Sequence, residues 1–251
     1  HYAGKRRCSP LSMPQEVLGS GLSIRSHTFF YGSRLKCSQI LYLGYLWLNR
    51  NSQTQAINAT GCSPNTVTAF FGHFRTLVAT MLDDEDTYIG GPGVVVEIDE
   101  TKLGKRKYNR GHRVEGVWIL VGVERTEARR VFMIRVEDRS APTLEAVIAD
   151  HVAPGSIVNT DLWRGYTGLG PRLGFAHNTV NHSLHFKDPL TGVNTNTVEC
   201  TNNALKIQIR PRNRTQAVDE HLAEFVWRRK NQAQLWQAFF EALKEVHYTI
   251  E

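Results

Sequence analysis

The stretch "VVVEIDETKLGKRKYNRGHR", residues 94–113, decides the fold. A run of β-branched residues carries Glu97 and Asp99 inside it, and six Lys or Arg follow within positions 102–113. Consecutive β-branched residues favour a strand. Alternate side chains of a strand share a face, so Val94, Val96 and Ile98 point one way while Val95, Glu97 and Asp99 point the other. If the strand is central in an α/β sheet, both faces are buried. Each carboxylate there then costs on the order of several kcal/mol unless a cation or hydrogen-bond donors compensate. Two readings stay open: a structural ion pair with Arg or Lys, or the floor of a metal site with the basic run beside it.

Working outward on the C-terminal side, residues 117–123 and 131–136 read as two more strands, the basic run joining the first pair and the charged turn "ERTEARR" the second. A helix from about Thr143 to His151 leads into "GSIVNTD", a short apolar strand that ends on Asp161. "HNTVNH" offers a further strand, and helices are expected over much of the region from Thr197 onward. Three strands, a crossover helix and another strand predict a mixed α/β sheet with helices packed on it.

On the N-terminal side the acidic, then glycine-rich "DDEDTYIGGPG" (83–93) reads as a linker. Before it, the apolar spacing from Leu35 to Leu48 suits a helix. "SQTQAINATGCSPNTVTAFFGHFRTLVATML" (52–82) holds a short helix, a turn at Gly61, then Ser63 as N-cap and Pro64 at the first helical position. Val67, Phe70, Phe71, Phe74, Leu77, Val78 and Met81 recur at steps of mostly three and four, one apolar face. The pattern is a helix-turn-helix with Asn65, Thr66 and Thr68 at the exposed start of its second helix, or a plain helical hairpin. Residues 1–33 show little periodicity and read as irregular; the chain opens on His1 rather than Met, which fits a piece of a longer protein.

Charge narrows the class of partner. The formal net charge is +6 with a pI near 9.2, and the excess is clustered: seven basic residues against one acidic before residue 51, then 102–113, Arg210–Arg214 and Arg228–Lys230. Clusters of this kind read as phosphate contacts more readily than as a solubilising surface. Cys8, Cys37, Cys62 and Cys200 form no C-x-x-C pair, which argues against a zinc ribbon or a disulfide framework. "ILYLGYLWL" is too short to span a bilayer and no cleavable signal precedes it, so a soluble intracellular protein is expected.

Asp161 lies at the carboxyl end of an apolar strand, where open α/β sheets build their sites; it would serve equally as an N-cap for "LWRGY". Glu199 follows Asn196 by three residues, a capping-box spacing as well as a candidate ligand. Together with Glu97 and Asp99 these acids suit a phosphodiester substrate. Two Mg²⁺ ions roughly 3.5 to 4 Å apart clamp the attacking and leaving oxygens of an in-line displacement, and Mg²⁺ prefers hard carboxylate oxygens. His182 and His185 lack the further ligands zinc needs and read as structural or phosphate-contacting. Trp118, Trp163 and Trp227 read as core.

Four segments, "IGGPGVVVEIDETKLGKRKYNRGHRVEGVWILVGVER", "NTDLWRGY", "TVNHSLHFKDPLTGVNTNTVE" and "LAEFVWRR", resemble in this order the Merlin-type DNA transposases and their bacterial insertion-sequence relatives. The likeness runs from about Ile89 to Lys230, and more weakly over "HTFFYGSRLKCSQILYLGYLW" and the helix-turn-helix segment. It implies a ribonuclease H-like catalytic domain over 87–251 behind a DNA-binding helical region over 34–86. An Asp, Asp, Glu triad falls on Asp99 in "EIDE", Asp161 in "TDLW" and Glu199 in "NTVE", binding two Mg²⁺ or Mn²⁺ ions; Glu97 becomes a neighbour. The implied activity is cut-and-paste transposition: cleavage at element ends, then strand transfer of the 3′-hydroxyl into double-stranded target DNA. Lys102, Lys105, Arg106, Lys107, Arg110 and Arg113 would position backbone, and a homodimer or larger synaptic complex would join two ends, in the nucleus or, for a bacterial source, the cytoplasm. A transposase-derived DNA-binding protein and a ribonuclease H-like nuclease are the alternatives. Two departures stand out: no cysteine-paired zinc ribbon, and Asn202 where the family pattern has a Trp three residues after the Glu, a loss expected to loosen the helix carrying Glu199.

Overall fold

The computed structural model describes residues 25–104, 116–181, 192–215 and 218–245. They divide into two compact units, one holding the chain up to Leu82 together with the stretch from Asn231 onward, the other Asp83–Lys230. Among the described residues, the stretch from Asn231 to Glu245 therefore groups with the N-terminal helices and not with the sheet.

The first unit is helical. Helices α1 (Cys37–Leu48), α2 (Gln53–Thr60) and α3 (Pro64–Ala79) pack with a C-terminal helix, Leu235–Glu245. Ser52 and Gln55 close a capping box at the start of α2, and Gly61 ends it in the left-handed region at φ 67°, where a side chain would be strained. Ser63 Oγ then accepts the Thr66 amide, with Pro64 in the first turn of α3. The apolar face runs Val67, Phe70, Phe71, Phe74, Leu77 and Val78, all buried; Met81 lies past the helix end and is only half-buried. Phe74 is the hub, with ring centroids 5.7 Å from Trp47, 5.3 Å from Phe239 and 5.6 Å from Phe29. Such a cluster buries large apolar area in few residues.

The second unit runs α4 (Asp84–Thr87), β1 (Ile89–Gly90), β2 (Val95–Leu103), β3 (Val117–Glu124), β4 (Val131–Val136), α5 (Ala141–His151), β5 (Val152–Ala153), β6 (Ile157–Asp161), α6 (Leu169–Leu173), β7 (Ala176–Val180), α7 (Asn196–Gln208) and α8 (Asp219–Lys230). Its five-stranded sheet has the order β4-β3-β2-β6-β7. The meander β2-β3-β4 is antiparallel, and β6 and β7 add on parallel after the crossover through α5. This mixed sheet with flanking helices is the ribonuclease H-like arrangement. Helix α5 covers one face through a core of Val96, Ile98, Leu120, Phe132, Leu144 and Ile148, while α7 packs on β2 and β3 and α8 on β4.

Residues 83–93 are not a linker. Asp83 and Asp86 cap α4 reciprocally, β1 pairs in parallel with β5, and Arg130 donates to the carbonyls of Glu85 and Tyr88 at 2.6 Å each. The acidic residues satisfy backbone donors, so their charge signals a helix start and not a solvated tether. Strand β2 also runs four residues beyond Asp99, paired with β3 as far as Leu103 opposite Val117. No helix among the described residues is long and apolar enough to cross a membrane.

Candidate active site

Strand register brings the first two acids together. Glu97 lies opposite Asn159 in the parallel pair of β2 and β6, so two residues further on each strand Asp99 and Asp161 stand side by side, pointing to the same face. Asp161 is also the last residue of β6, and its Oδ1 accepts the Trp163 amide at 2.9 Å. That bond closes the turn after β6, but the helical turn Arg164–Tyr166 has Trp163, not Asp161, as its N-cap.

Helix α7 delivers the third acid. Its N-cap is Thr195, not Asn196, so the capping box expected between Asn196 and Glu199 does not form. Glu199 instead stands one turn in and accepts the Thr195 hydroxyl at 3.2 Å. The start of α7 is held by Glu97, whose side chain is fully buried. Its Oε2 accepts the amides of Thr197 and Val198 at 2.7 and 3.0 Å, and Oε1 accepts the Thr197 hydroxyl and the Arg125 Nε at 3.1 and 2.8 Å. A carboxylate against unpaired helix amides is favourable, and the Arg125 ion pair removes the cost of burying it. Arg125 extends the clamp by donating to Asn194 Oδ1 at 3.0 Å. The two readings of the strand acids thus divide: Glu97 is the ion pair, and Asp99 has no cationic partner among the described residues.

Asn202 reaches the site from the same side of α7, three residues after Glu199. It is buried, and its Nδ2 donates to Asp99 Oδ2 at 2.9 Å while Oδ1 has no partner. The expectation that Asn202 loosens α7 is overturned: the helix is regular from 196 to 208, and the residue is fastened to β2.

Burial first, and the Asp161 charge second, raise the Asp99 carboxyl from 3.8 to about 6; Glu199 adds to the rise and Asn202 opposes it. On the opposite face of β2, burial lifts Glu100 to about 7, with Asp99 and Asp161 adding. The Tyr166 hydroxyl opposes that rise, yet neither Glu100 Oε1 nor Tyr166 Oη has a partner with hydrogen-bonding geometry. Arg139 and Tyr166 offset the rise at Glu100 only in part, and clustered carboxylates of this kind are what a divalent, oxygen-seeking ion relieves. The donor set therefore fits Mg²⁺ or Mn²⁺, although no three His, Cys, Asp or Glu among the described residues close around one ion position.

The expected DNA contacts are distributed differently. Lys102 is an exposed residue of β2 with its Nζ 5.1 Å from the Trp118 ring, not part of a loop arm. Lys105, Arg106, Lys107, Arg110 and Arg113, like His182 and His185, lie outside the described residues. Asn65 and Thr68 are exposed on the first turns of α3, and Thr66 is partly covered, its hydroxyl 2.9 Å from that of Ser63. The Arg228–Lys230 cluster is not a phosphate surface. Arg228 is buried against Glu224, Arg229 donates to the Arg129 carbonyl, and Lys230 pairs with Asp86 at 2.7 Å. Trp227 is core as expected, but Trp118 and Trp163 are only partly buried and hold Arg139 between them. Arg125 and Arg139 carry no sequence signal beyond lying in charged turns at strand ends.

Residues 78–230 match the ISXO2-like transposase domain, more than half of the chain. The chain belongs to that family. It is a DDE-type transposase domain, a class that acts by phosphoryl transfer, and the match spans every acid described above. Among solved structures, the catalytic core domain of BIV integrase aligns with a TM-score of 0.36 at 15% identity, covering 59% of this chain and 94% of that one. A pre-cleavage Mos1 transpososome aligns at 0.24 and 10% identity over 88% of this chain and 82% of that one. Similarity that low bears on neither site nor substrate. No curated protein matches the transposase by sequence.

Proposed function

We propose that this transposase cuts double-stranded DNA at the ends of its element and joins the freed 3′-hydroxyls to target DNA, with Asp99, Asp161 and Glu199 as its catalytic acids. The observation that carries this reading is the juxtaposition of Asp99 and Asp161 on adjacent strands with Glu199 close by on α7, where burial and the neighbouring acids raise the Asp99 carboxyl and no ion pair reaches it among the described residues. In the first step a water oxygen attacks phosphorus and the bond to the 3′-oxygen breaks, leaving a 3′-hydroxyl and a 5′-phosphate. In the second, that hydroxyl loses its proton, attacks a target phosphodiester and displaces the target's own 3′-oxygen, so one phosphodiester forms as one breaks. Two Mg²⁺ or Mn²⁺ ions, when bound, would polarise the attacked phosphate and acidify the attacking water or hydroxyl.

The protein's own residues set the geometry. Asp99 and Asp161 hold oxygen ligands on adjacent strands, and Asn202 orients the Asp99 carboxylate. Glu97 and Arg125 fix the start of α7 so that Glu199 faces β2. The exposed start of α3, with Asn65, Thr66 and Thr68, is assigned to recognition of the terminal repeats as the second helix of a helix-turn-helix, and Lys102, Lys105, Arg106, Lys107, Arg110 and Arg113 to the backbone. Two ends require at least a dimer on DNA; a Merlin-type element would place that complex in the nucleus, a bacterial one in the cytoplasm. The joining step is tested with a pre-cut end bearing a 3′-hydroxyl, incubated with plasmid and Mg²⁺. Covalent joining supports transposition, whereas cutting of intact ends without joining of pre-cut ones identifies a nuclease.

A further inference from the structure

On the α5 face of the sheet, opposite the face that carries Asp99 and Asp161, cations and aromatic rings alternate. Arg139 Cζ lies 4.1 Å from the Trp118 ring centroid and 4.2 Å from that of Trp163, so the guanidinium is sandwiched between two indoles. Lys102 covers the outer side of Trp118 at 5.1 Å, and Arg164 approaches Trp163 at 5.5 Å. Trp163 is fixed in place by its Nε1 donating to the Arg139 carbonyl at 3.4 Å. Gly165 makes room for it: a Cβ there would meet the Trp163 ring at 2.8 Å and Leu144 at 3.0 Å. A cavity of about 540 Å³ opens against this stack, lined by Arg139, Ser140, Ala141, Trp163, Arg164 and Gly165.

Arg139 also offsets part of the rise at the buried Glu100, so its charge serves the fold as well as the stack. Stacking occupies both faces of the Arg139 guanidinium and leaves its in-plane N–H fork, which matches phosphate in a bidentate fashion. Among the described residues, no ion pair or side-chain hydrogen bond occupies the guanidinium of Arg139 or of Arg164. The cavity is an open depression of small-molecule volume, and Trp163, only partly buried, can stack on a base. A base offers its face only when it is unpaired or turned out of the duplex. The site is tied to the acids, because the Trp163 amide donates to Asp161 Oδ1.

We propose that this cavity binds one unpaired DNA nucleotide next to the phosphate being cut, its base stacked on Trp163 and its phosphate held by the fork of Arg139 with Arg164. The inference rests on the transposase reading for its position beside the scissile bond, but the stacking itself is measurable without cleavage. The probe is a short single-stranded oligodeoxynucleotide carrying 2-aminopurine, titrated into the full chain, with the same sequence as duplex for comparison. Expected are quenching of 2-aminopurine on binding, a preference for the single strand, and about a tenfold or larger loss of its affinity in Trp163→Leu, with Trp163→Phe restoring most of it. Arg139→Lys keeps the charge but not the fork and is expected to lose affinity as well. If Trp163→Leu fails to fold, the native titration together with Trp163→Phe and Arg139→Lys still decides. Equal binding of single strand and duplex without quenching, or Trp163→Phe and Arg139→Lys variants indistinguishable from native while Trp163→Leu is folded and unimpaired, overturns the proposal and leaves the stack a brace. Cleavage of end-bearing duplex in the same preparations reports separately. Cutting without single-strand preference sinks the nucleotide site and spares the transposase reading; stacking without cutting does the reverse.

Discussion

Glu97 Oε2 accepts the Thr197 amide at 2.7 Å across 100 residues of chain, and this bond ties the central strand to the helix that carries Glu199. The carboxylate takes two backbone amides, one hydroxyl and one guanidinium with no exposure to solvent. Glu97→Gln keeps the volume but sets an NH₂ group against donors, so an unfolding cost of about 2 to 4 kcal/mol is expected. The denaturant midpoint reports it, and Mn²⁺ affinity is expected to fall in the same variant because Glu199 loses its anchor. A variant as stable as the native chain would show that the clamp contributes little.

Asp99 is expected to couple stability and metal binding in opposite directions. Its folded carboxyl, at about 6, lies above the ordinary 3.8. Between those values the folded state holds more protons than the unfolded one, so stability falls as pH rises through that window and levels off above it. A carboxyl displaced that far is unfavourable by on the order of 2 to 3 kcal/mol at neutral pH. Asp99→Asn is therefore expected to raise the thermal midpoint of the metal-free protein while abolishing Mn²⁺ binding. Calorimetric scans at pH 5 and 8 check the sign: the variant's advantage should be larger at pH 8.

Metal affinity should rise with pH across the same interval, since protons and cations compete for Asp99. The Asn202 amide opposes the rise in that carboxyl's pKa. Asn202→Ala removes it, and the pH midpoint for Mn²⁺ binding is expected to move upward. Titrations of both proteins at pH 5.5, 6.5 and 7.5 measure the displacement; an unchanged midpoint would mean the amide does not act on Asp99.

The start of α3 separates recognition from folding. Asn65 and Thr68 are exposed, so changing both to Ala should leave stability within about 0.5 kcal/mol. Duplex binding to element ends should nonetheless weaken. Ser63→Ala, which removes the N-cap on the Thr66 amide, should cost about 1 kcal/mol of stability. Mobility shifts with end-bearing and unrelated duplexes distinguish lost recognition from lost charge.

How much of this was legible before the structure depended on whether the signal was local. The alternation of 94–99, the strand ending on Asp161 and the Ser63-Pro64 helix start are written in neighbouring residues, and all three form. Residues 83–93 misled because capping acids and linker acids have the same composition, and only the partners Arg130 and Lys230, distant in sequence, tell them apart. Arg228–Lys230 misled for the converse reason: a basic run on a helix says nothing of the Glu224 and Asp86 facing it. Asn202 is smaller than the Trp of the family pattern, but its contribution is a hydrogen bond to a residue 103 positions away on β2. The Trp118–Arg139–Trp163 stack joins β3, a turn and the β6 exit loop, and periodicity within any one element cannot show it.

The central claim is that Asp161, beside Asp99, is part of a metal-dependent DNA-cutting site. The most direct measurement is cleavage of a duplex carrying the element's own ends, with Mg²⁺ or Mn²⁺, comparing the native chain with Asp161→Asn at matched DNA affinity. Metal-dependent nicking at the end by the native chain and none by the variant, with binding unchanged, is the expected result. Equal cleavage by both, or binding by both with no cleavage by either, would contradict it.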